Sequence, residues 1–128
     1  MIKKRKPVLE KIDRNDNISF GFSNLKNISY GKAKNDSDFF IHYLQQLQKL
    51  SLLTWDDIRS TQKHGLGAET IEVKFLKEKA KNVLSPGISK LLVLRATGDN
   101  HVFLGFRDAN TFQVIFIEYK FGDIYSHG

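Results

Sequence analysis

The predicted β-sheet comes mainly from the sequence ISKLLVLRATGDNHVFLGFRDANTFQVIFIEYK, residues 88–120. It contains three runs rich in β-branched and aromatic residues, separated by the turn-forming triplets GDN (98–100) and DAN (108–110). Runs and turns of these kinds are typical of β-hairpins, so the spacing predicts an antiparallel meander. The last run is apolar at the successive positions 114–117, as expected for a strand that is covered on both faces.

Two helices are predicted before the meander. Asp36 or Ser37 can cap the first helix, whose apolar face recurs at helical spacing through Phe40, Tyr43, Leu44, Leu47 and Leu50. Thr54 and Asp57 have the spacing of a capping box, which predicts a second, shorter helix. Along one side of that helix we expect Trp55, Ile58 and Gln62.

Two further segments complete the predicted fold. Residues 18–25 (ISFGFSNL) indicate a short strand, and residues 68–84 alternate at first and then take helical spacing, so we expect an extended start followed by a helix. The order of elements predicts an α+β fold, in which N-terminal helices pack on a small antiparallel sheet formed mainly by residues 88–120.

Composition and charge divide the chain into an arm and one domain. With 128 residues and 41% hydrophobic content, the chain has the size of a single domain with one core. Residues 1–14 hold six basic and two acidic residues, which leaves fourteen basic and twelve acidic residues for the rest of the chain. We therefore predict a flexible basic arm at 1–16 and a domain at 17–128. The arm is expected to contact nucleic acid through Lys3, Lys4, Arg5 and Lys6.

Several classes of protein are excluded by what the sequence lacks. No apolar run is long enough to span a membrane, and the N-terminal residues lack the apolar region of a secretory signal. The chain contains no cysteine, and its histidines are not at metal-ligand spacing. We therefore expect a cytoplasmic protein with no membrane segment, no metal and no cofactor.

The candidate catalytic residues lie around the ends of the predicted strands. Metal-free RNA cleavage needs a base for the 2′-hydroxyl, a cation at the phosphate and an acid for the leaving oxygen. Groups that can fill these roles are Arg95, Arg107, Tyr125 and His127. Glu118 and Lys120 also lie near the end of the third predicted strand. Because neighbouring strands run in opposite directions, not all six residues can meet at one edge, and Arg107 and Lys120 are the two for which such a meeting is least expected.

Three further residues are candidates for nucleic-acid binding, and a structural interpretation of the whole cluster stays open. We assign nucleic-acid binding to Lys120 and, at the end of the second predicted helix, to Lys63 and His64. The simpler interpretation is structural, since Glu118 can pair with Arg95 across the ladder and the Tyr125 ring can cap the core.

The layout of basic helices followed by a meander that ends in a tyrosine resembles the RelE/ParE-type toxin superfamily over residues 38–125. The resemblance implies cleavage of ribosome-bound messenger RNA or binding of gyrase, an antitoxin partner, and functional roles for Arg95, Arg107 and Tyr125. Residues 94–125 (LRATGDNHVFLGFRDANTFQVIFIEYKFGDIY) also resemble a group of uncharacterised small bacterial and phage proteins, with Glu118 in the place of their acid. In that group a His precedes the Tyr, and here Phe121 and Gly122 replace it.

These observations support two hypotheses of different classes. The first is a toxin-like, metal-independent endoribonuclease that acts on RNA phosphodiesters. The alternative is a non-catalytic module of a phage or mobile element that binds nucleic acid or a protein partner.

Overall fold

The computed structural model of the protein describes residues 17–60, 67–95 and 102–127. The predicted arm with Lys3, Lys4, Arg5 and Lys6, and the pair Lys63 and His64, lie outside the described residues. The helices are α1 (Ser37–Leu50), α2 (Trp55–Ser60) and α3 (Glu78–Lys81), and single turns of 3₁₀-helix occupy Tyr30–Ala33 and Val73–Phe75. The strands are β1 (Ser19–Gly21), β2 (Gly67–Glu72), β3 (Lys90–Arg95), β4 (Phe103–Asp108) and β5 (Thr111–Ile117).

The described strands form one mixed sheet in the order β1-β5-β4-β3-β2. The predicted meander is confirmed, since β3, β4 and β5 pair antiparallel, and β2 adds to β3 in the same sense. The α+β fold is therefore confirmed, and the sheet is mixed because β1 adds to it in parallel with β5, with Ser19 opposite Thr111. The hydroxyls of these two residues lie 2.8 Å apart, and the Ser19 N–H donates to the Asn110 carbonyl.

A bulge between Leu104 and Gly105 shifts the register of β4 against β5. At Gly105 a Cβ atom would overlap the backbone carbonyl of Gln113 on the facing strand. Glycine is therefore required here for the close approach of two backbones, as is common at bulges.

The helix starts follow the predicted capping residues. Asp36 caps α1 by accepting the Phe39 N–H at 3.0 Å. The Asp57 carboxylate accepts the Thr54 N–H at 2.9 Å, and the Thr54 hydroxyl accepts the Asp57 N–H at 3.0 Å. These reciprocal bonds form a capping box and confirm the start of α2.

The predicted core face of α1 is partly wrong. Tyr43 and Leu50 are buried as expected, but Leu44 is 62% exposed and Gln46 takes a buried position instead. The helix has a second apolar stripe, with Ile41 and Leu44 one turn apart, and this stripe faces solvent.

The core lies on both faces of the sheet, as the apolar run of β5 predicts. One cluster packs α1 and α2 against the sheet, with Trp55, Ile58, Phe112 and Val114 among its members. The other cluster lies on the opposite face and includes Ala80 from α3, Ile115, Phe116 and Ile124. The segment after β2 is extended and then helical, as expected, although α3 is short. No helix of the described residues is long and apolar enough to cross a membrane.

Candidate functional site

Residues 118–127, which we call the carboxyl-terminal segment, leave the end of β5 and fold back against the sheet. Ile124 is fully buried in the second core cluster. Its carbonyl accepts the Lys77 N–H at 2.8 Å, and Tyr125 forms a single antiparallel bridge with Leu76. The segment is therefore fixed along the basic connection that leads from β2 into α3.

A buried carboxylate closes the turn of this segment. Glu118 is fully buried, and its Oε2 accepts the N–H groups of Gly122 and Ile124 at 3.1 and 3.2 Å. Its Oε1 lies 2.8 Å from His127 Nε2. Gly122 takes a φ of +92°, which side chains other than glycine rarely adopt. Burial raises the pKa of Glu118, against the opposing effects of the two N–H donors and of His127.

Two aromatic rings stack on the imidazole of His127. The Phe121 ring lies 3.9 Å from it at an interplanar angle of 31°, and the Tyr125 ring lies 4.1 Å from it at 26°, centroid to centroid. Two rings this close must lie on opposite faces, so the His127 side chain is only 6% exposed. Phe121 is 56% exposed. Since one face of the Phe121 ring covers the imidazole, its other face is open to solvent.

Arg95, at the end of β3, lies near the Tyr125 phenol. Its Nη2 lies 2.7 Å from Glu69 Oε2 on β2. Burial is the main cause that raises the pKa of the Tyr125 phenol, and a hydrogen bond from the neighbouring Arg95 guanidinium opposes it. The Tyr125 phenol thus lies between the Arg95 guanidinium and the His127 imidazole, and these are three of the four candidate catalytic residues.

Arg107 lies elsewhere. It stands opposite Phe112 at the far end of β4, whereas Arg95 ends β3 next to the start of β4. The Arg107 Nε donates to the Ala109 carbonyl at 2.8 Å, and its guanidinium lies 4.6 Å from the centroid of the Trp55 ring. The structure thus gives Arg107 a place in the β4–β5 hairpin, apart from the carboxyl-terminal segment.

The predicted pairing of Glu118 with Arg95 is wrong. Arg95 pairs with Glu69, and Glu118 binds His127 and two backbone N–H groups. The physical reason is that the turn at Gly122 brings backbone donors and an imidazole onto the buried carboxylate, while Arg95 remains at the partly exposed edge.

Polar contacts fix the first residues of the segment to the helical side of the protein. The Ser29 hydroxyl donates to Asp123 at 2.7 Å and accepts the Tyr119 N–H at 2.7 Å. The Tyr119 hydroxyl donates to the Asp36 carboxylate at 2.7 Å, and this bond is the first cause that lowers the pKa of Asp36. Lys32 pairs with Asp123 at 3.0 Å.

Lysines and exposed rings recur along the two stretches that meet at the Leu76–Tyr125 bridge. Phe75 is 63% exposed, with the Lys74 Nζ 5.3 Å from its ring centroid, and Lys77 and Lys120 are exposed. The bridge between Leu76 and Tyr125 joins the two stretches that carry these groups. We call residues 74–77 and 119–125 the basic aromatic face. The sequence reasoning identified Lys120 but missed both phenylalanines, although the repeated Lys-Phe dipeptide was a visible signal.

Within the described residues, no three His, Asp or Glu side chains lie close enough together to hold a metal ion. Comparison of the chain with protein-family models, with curated proteins and with solved structures found no match in any of the three.

Proposed function

We propose that the basic aromatic face binds single-stranded nucleic acid. The observation that carries this proposal is the Phe121 ring, which is supported from below by the imidazole of His127 and open on its other face. A base can stack on such a ring whatever its sequence, and aromatic side chains beside a cationic groove are the common design of single-strand binders.

The charges around Phe121 suit an anionic ligand. Lys120 and Lys77 are exposed on the two stretches of the face, while the carboxylate closest to Phe121 in sequence, Glu118, is buried. Asp123 is paired with Lys32 and Ser29, and Glu69, the acid near Tyr125, is paired with Arg95. Exposed lysines and neutralised carboxylates favour a phosphate backbone over the stacked base.

The Arg95–Tyr125 contact favours a second candidate, the metal-independent endoribonuclease. In this proposal the Arg95 guanidinium stabilises the charge on the scissile phosphate, and the phenol of Tyr125 transfers a proton. His127 would position the Tyr125 ring rather than touch RNA, because it is 6% exposed and its Nε2 faces Glu118. A toxin role with an antitoxin partner, of the RelE/ParE kind, belongs to this candidate.

Binding is tested by fluorescence anisotropy with a labelled single-stranded oligoribonucleotide. Base stacking on an aromatic side chain contributes about 1–3 kcal/mol, so Phe121→Ala is expected to weaken binding by about 5- to 150-fold. The matched control is Leu52→Ala, which removes an exposed apolar side chain from the loop after α1. Equal losses in the two variants, or none in either, would contradict the proposal.

The same assay at several salt concentrations tests the contribution of Lys120. Removing one phosphate contact reduces the slope of log K against log salt by about 0.7 for a single strand. Lys120→Gln is expected to show this change, and Lys49→Gln, on the exposed side of α1, is expected to keep the wild-type slope.

Cleavage is tested on the same RNA with a chelator present. Shortened RNA with the wild type, and intact RNA with Tyr125→Phe, would support the second candidate. Tight binding of RNA that stays intact would contradict the endoribonuclease and support the binding module.

A further inference from the structure

A separate cavity lies on the other side of β5 from α1 and α2. Its volume is about 160 Å³, and it opens between the loop at 83–88 and the segment that follows β1. Its apolar walls are Leu84, Ile88, Phe106 and Ile115. Asn24 and Lys26 stand among the polar groups that line it. No residue of the basic aromatic face lines this cavity.

The walls of the cavity are tied to the fold by backbone hydrogen bonds. The Lys26 N–H donates to the Ile115 carbonyl at 2.8 Å, which fixes the segment after β1 against β5. The Ile88 N–H donates to the Ser85 carbonyl at 3.2 Å and closes the turn that forms the opposite wall. The cavity is thus part of the folded domain and requires no rearrangement to exist.

Its size and chemistry define the ligand that it fits. A cavity of about 150 Å³ lined by Leu, Ile and Phe is known to hold one benzene ring. Here Phe106 offers an aromatic partner for such a ring, and exposed Lys26 offers a cation at the opening. Among residues 17–60, 67–95 and 102–127, Lys26 takes part in none of the ion pairs.

We propose that this cavity binds a small organic anion, made of one apolar ring and a carboxylate. The ring lies against Phe106 and Ile115, and the carboxylate lies at the opening, where the ammonium group of Lys26 attracts it. A half-open site with one exposed cation gives weak binding, and for a ligand of this size the expected Kd is on the order of 1 mM.

The probe is phenylacetate, titrated into the full chain labelled with ¹⁵N and followed by NMR. We expect saturable shifts of the amide signals of Leu84, Ser85, Gly87, Ile88 and Phe106. Benzyl alcohol, which has the same ring without the charge, is expected to bind more weakly. Lys26→Gln should weaken phenylacetate binding about threefold, as expected for the loss of an exposed ion pair, and leave benzyl alcohol binding unchanged.

Lys34→Gln, which removes an exposed lysine that does not line the cavity, serves as the matched control and should bind both probes like the wild type. Shifts that do not saturate, or that fall on other residues, would overturn the cavity as a ligand site. Equal affinity for the two probes, or equal effects of Lys26→Gln and Lys34→Gln, would overturn the assignment of an anionic ligand. Neither outcome depends on nucleic-acid binding.

Discussion

Glu118 is the side chain on which the carboxyl-terminal segment depends most. Replacing it with alanine leaves the N–H groups of Gly122 and Ile124 without their acceptor, and removes the partner of His127. Each buried donor that loses its partner costs about 1–3 kcal/mol. Because two donors lose their acceptor, we expect Glu118→Ala to lower the free energy of unfolding by about 2–6 kcal/mol.

Glu118→Gln is expected to be much milder. The carboxamide oxygen can still accept both N–H groups, and the amide nitrogen can donate to the imidazole. The variant loses the added strength of hydrogen bonds to a charged group, about 1–2 kcal/mol, but it also avoids the cost of burying a charge, so the net change should be smaller than that. The direction of the Glu118 pKa agrees, since burial favours the uncharged form that glutamine imitates.

Urea unfolding, followed by the fluorescence of the single tryptophan, Trp55, measures these changes. Trp55 is buried in the first core cluster and so reports on the loss of the whole fold. Glu78→Ala is the matched control, because its side chain is 78% exposed and pairs with Lys81 at the surface, and it should change the stability by less than about 0.5 kcal/mol. If Glu118→Ala stayed within about 1 kcal/mol of the wild type, the buried carboxylate would not hold the segment in place.

Two further predictions concern the bulge and the pH dependence. Gly105→Ala forces a Cβ atom onto the carbonyl of the facing strand and should lower the free energy of unfolding by more than about 2 kcal/mol in the same urea assay. The control is Gly87→Ala, where a Cβ meets nothing within 4 Å, and it should be close to neutral. The pKa of Glu118 is raised in the folded protein above its usual 4.5, so its contribution to stability is complete below that pH and is lost as the pH rises through the folded pKa. Wild type should therefore lose stability relative to Glu118→Gln as the pH is raised above about 4.5 in parallel urea titrations, and a difference that grows in the opposite direction would show that the pKa is lowered.

Features that depend on residues close in sequence could be predicted. The two residues of the capping box, Thr54 and Asp57, are three positions apart, and the β4–β5 turn is formed by the turn-favouring sequence DAN at 108–110. Neither feature needs knowledge of what the element packs against. The meander follows in the same way, because each strand pairs with the next one along the chain.

The exposed face of α1 shows where periodicity stops being sufficient. The helix has two apolar stripes, and spacing alone gives no reason to bury Tyr43 and Leu50 while leaving Ile41 and Leu44 in solvent. The choice is made by the sheet, onto which Tyr43 packs with its ring edge-on to Phe103 at 4.6 Å. Gln46 is buried as a consequence, with its Nε2 3.1 Å from His42 Nε2.

Pairings across long stretches of chain could not be predicted. Ser19 meets Thr111 and Ser29 meets Asp123, and no local pattern marks either pair. The candidate site was predictable in part, because antiparallel strands bring the end of β3 near the end of β5 and hence Arg95 near Tyr125. The partner of Glu118 was not, because it depends on a turn at Gly122 whose positive φ cannot be read from spacing.

The buried Glu118 side chain links the stability of the carboxyl-terminal segment to the position of His127. A buried pair of polar side chains is weak evidence for stability, since an apolar replacement of similar volume is often equally stable. What such a replacement cannot do is accept the Gly122 and Ile124 N–H groups and hold His127 at the same time. These bonds fix the imidazole under the Phe121 ring, so the loss of Glu118 should weaken nucleic-acid binding as well as the fold. In the absence of urea, where Glu118→Ala remains folded, its RNA affinity should fall toward that of Phe121→Ala. An unchanged affinity would show that the stack of Phe121 on His127 does not contribute to RNA binding.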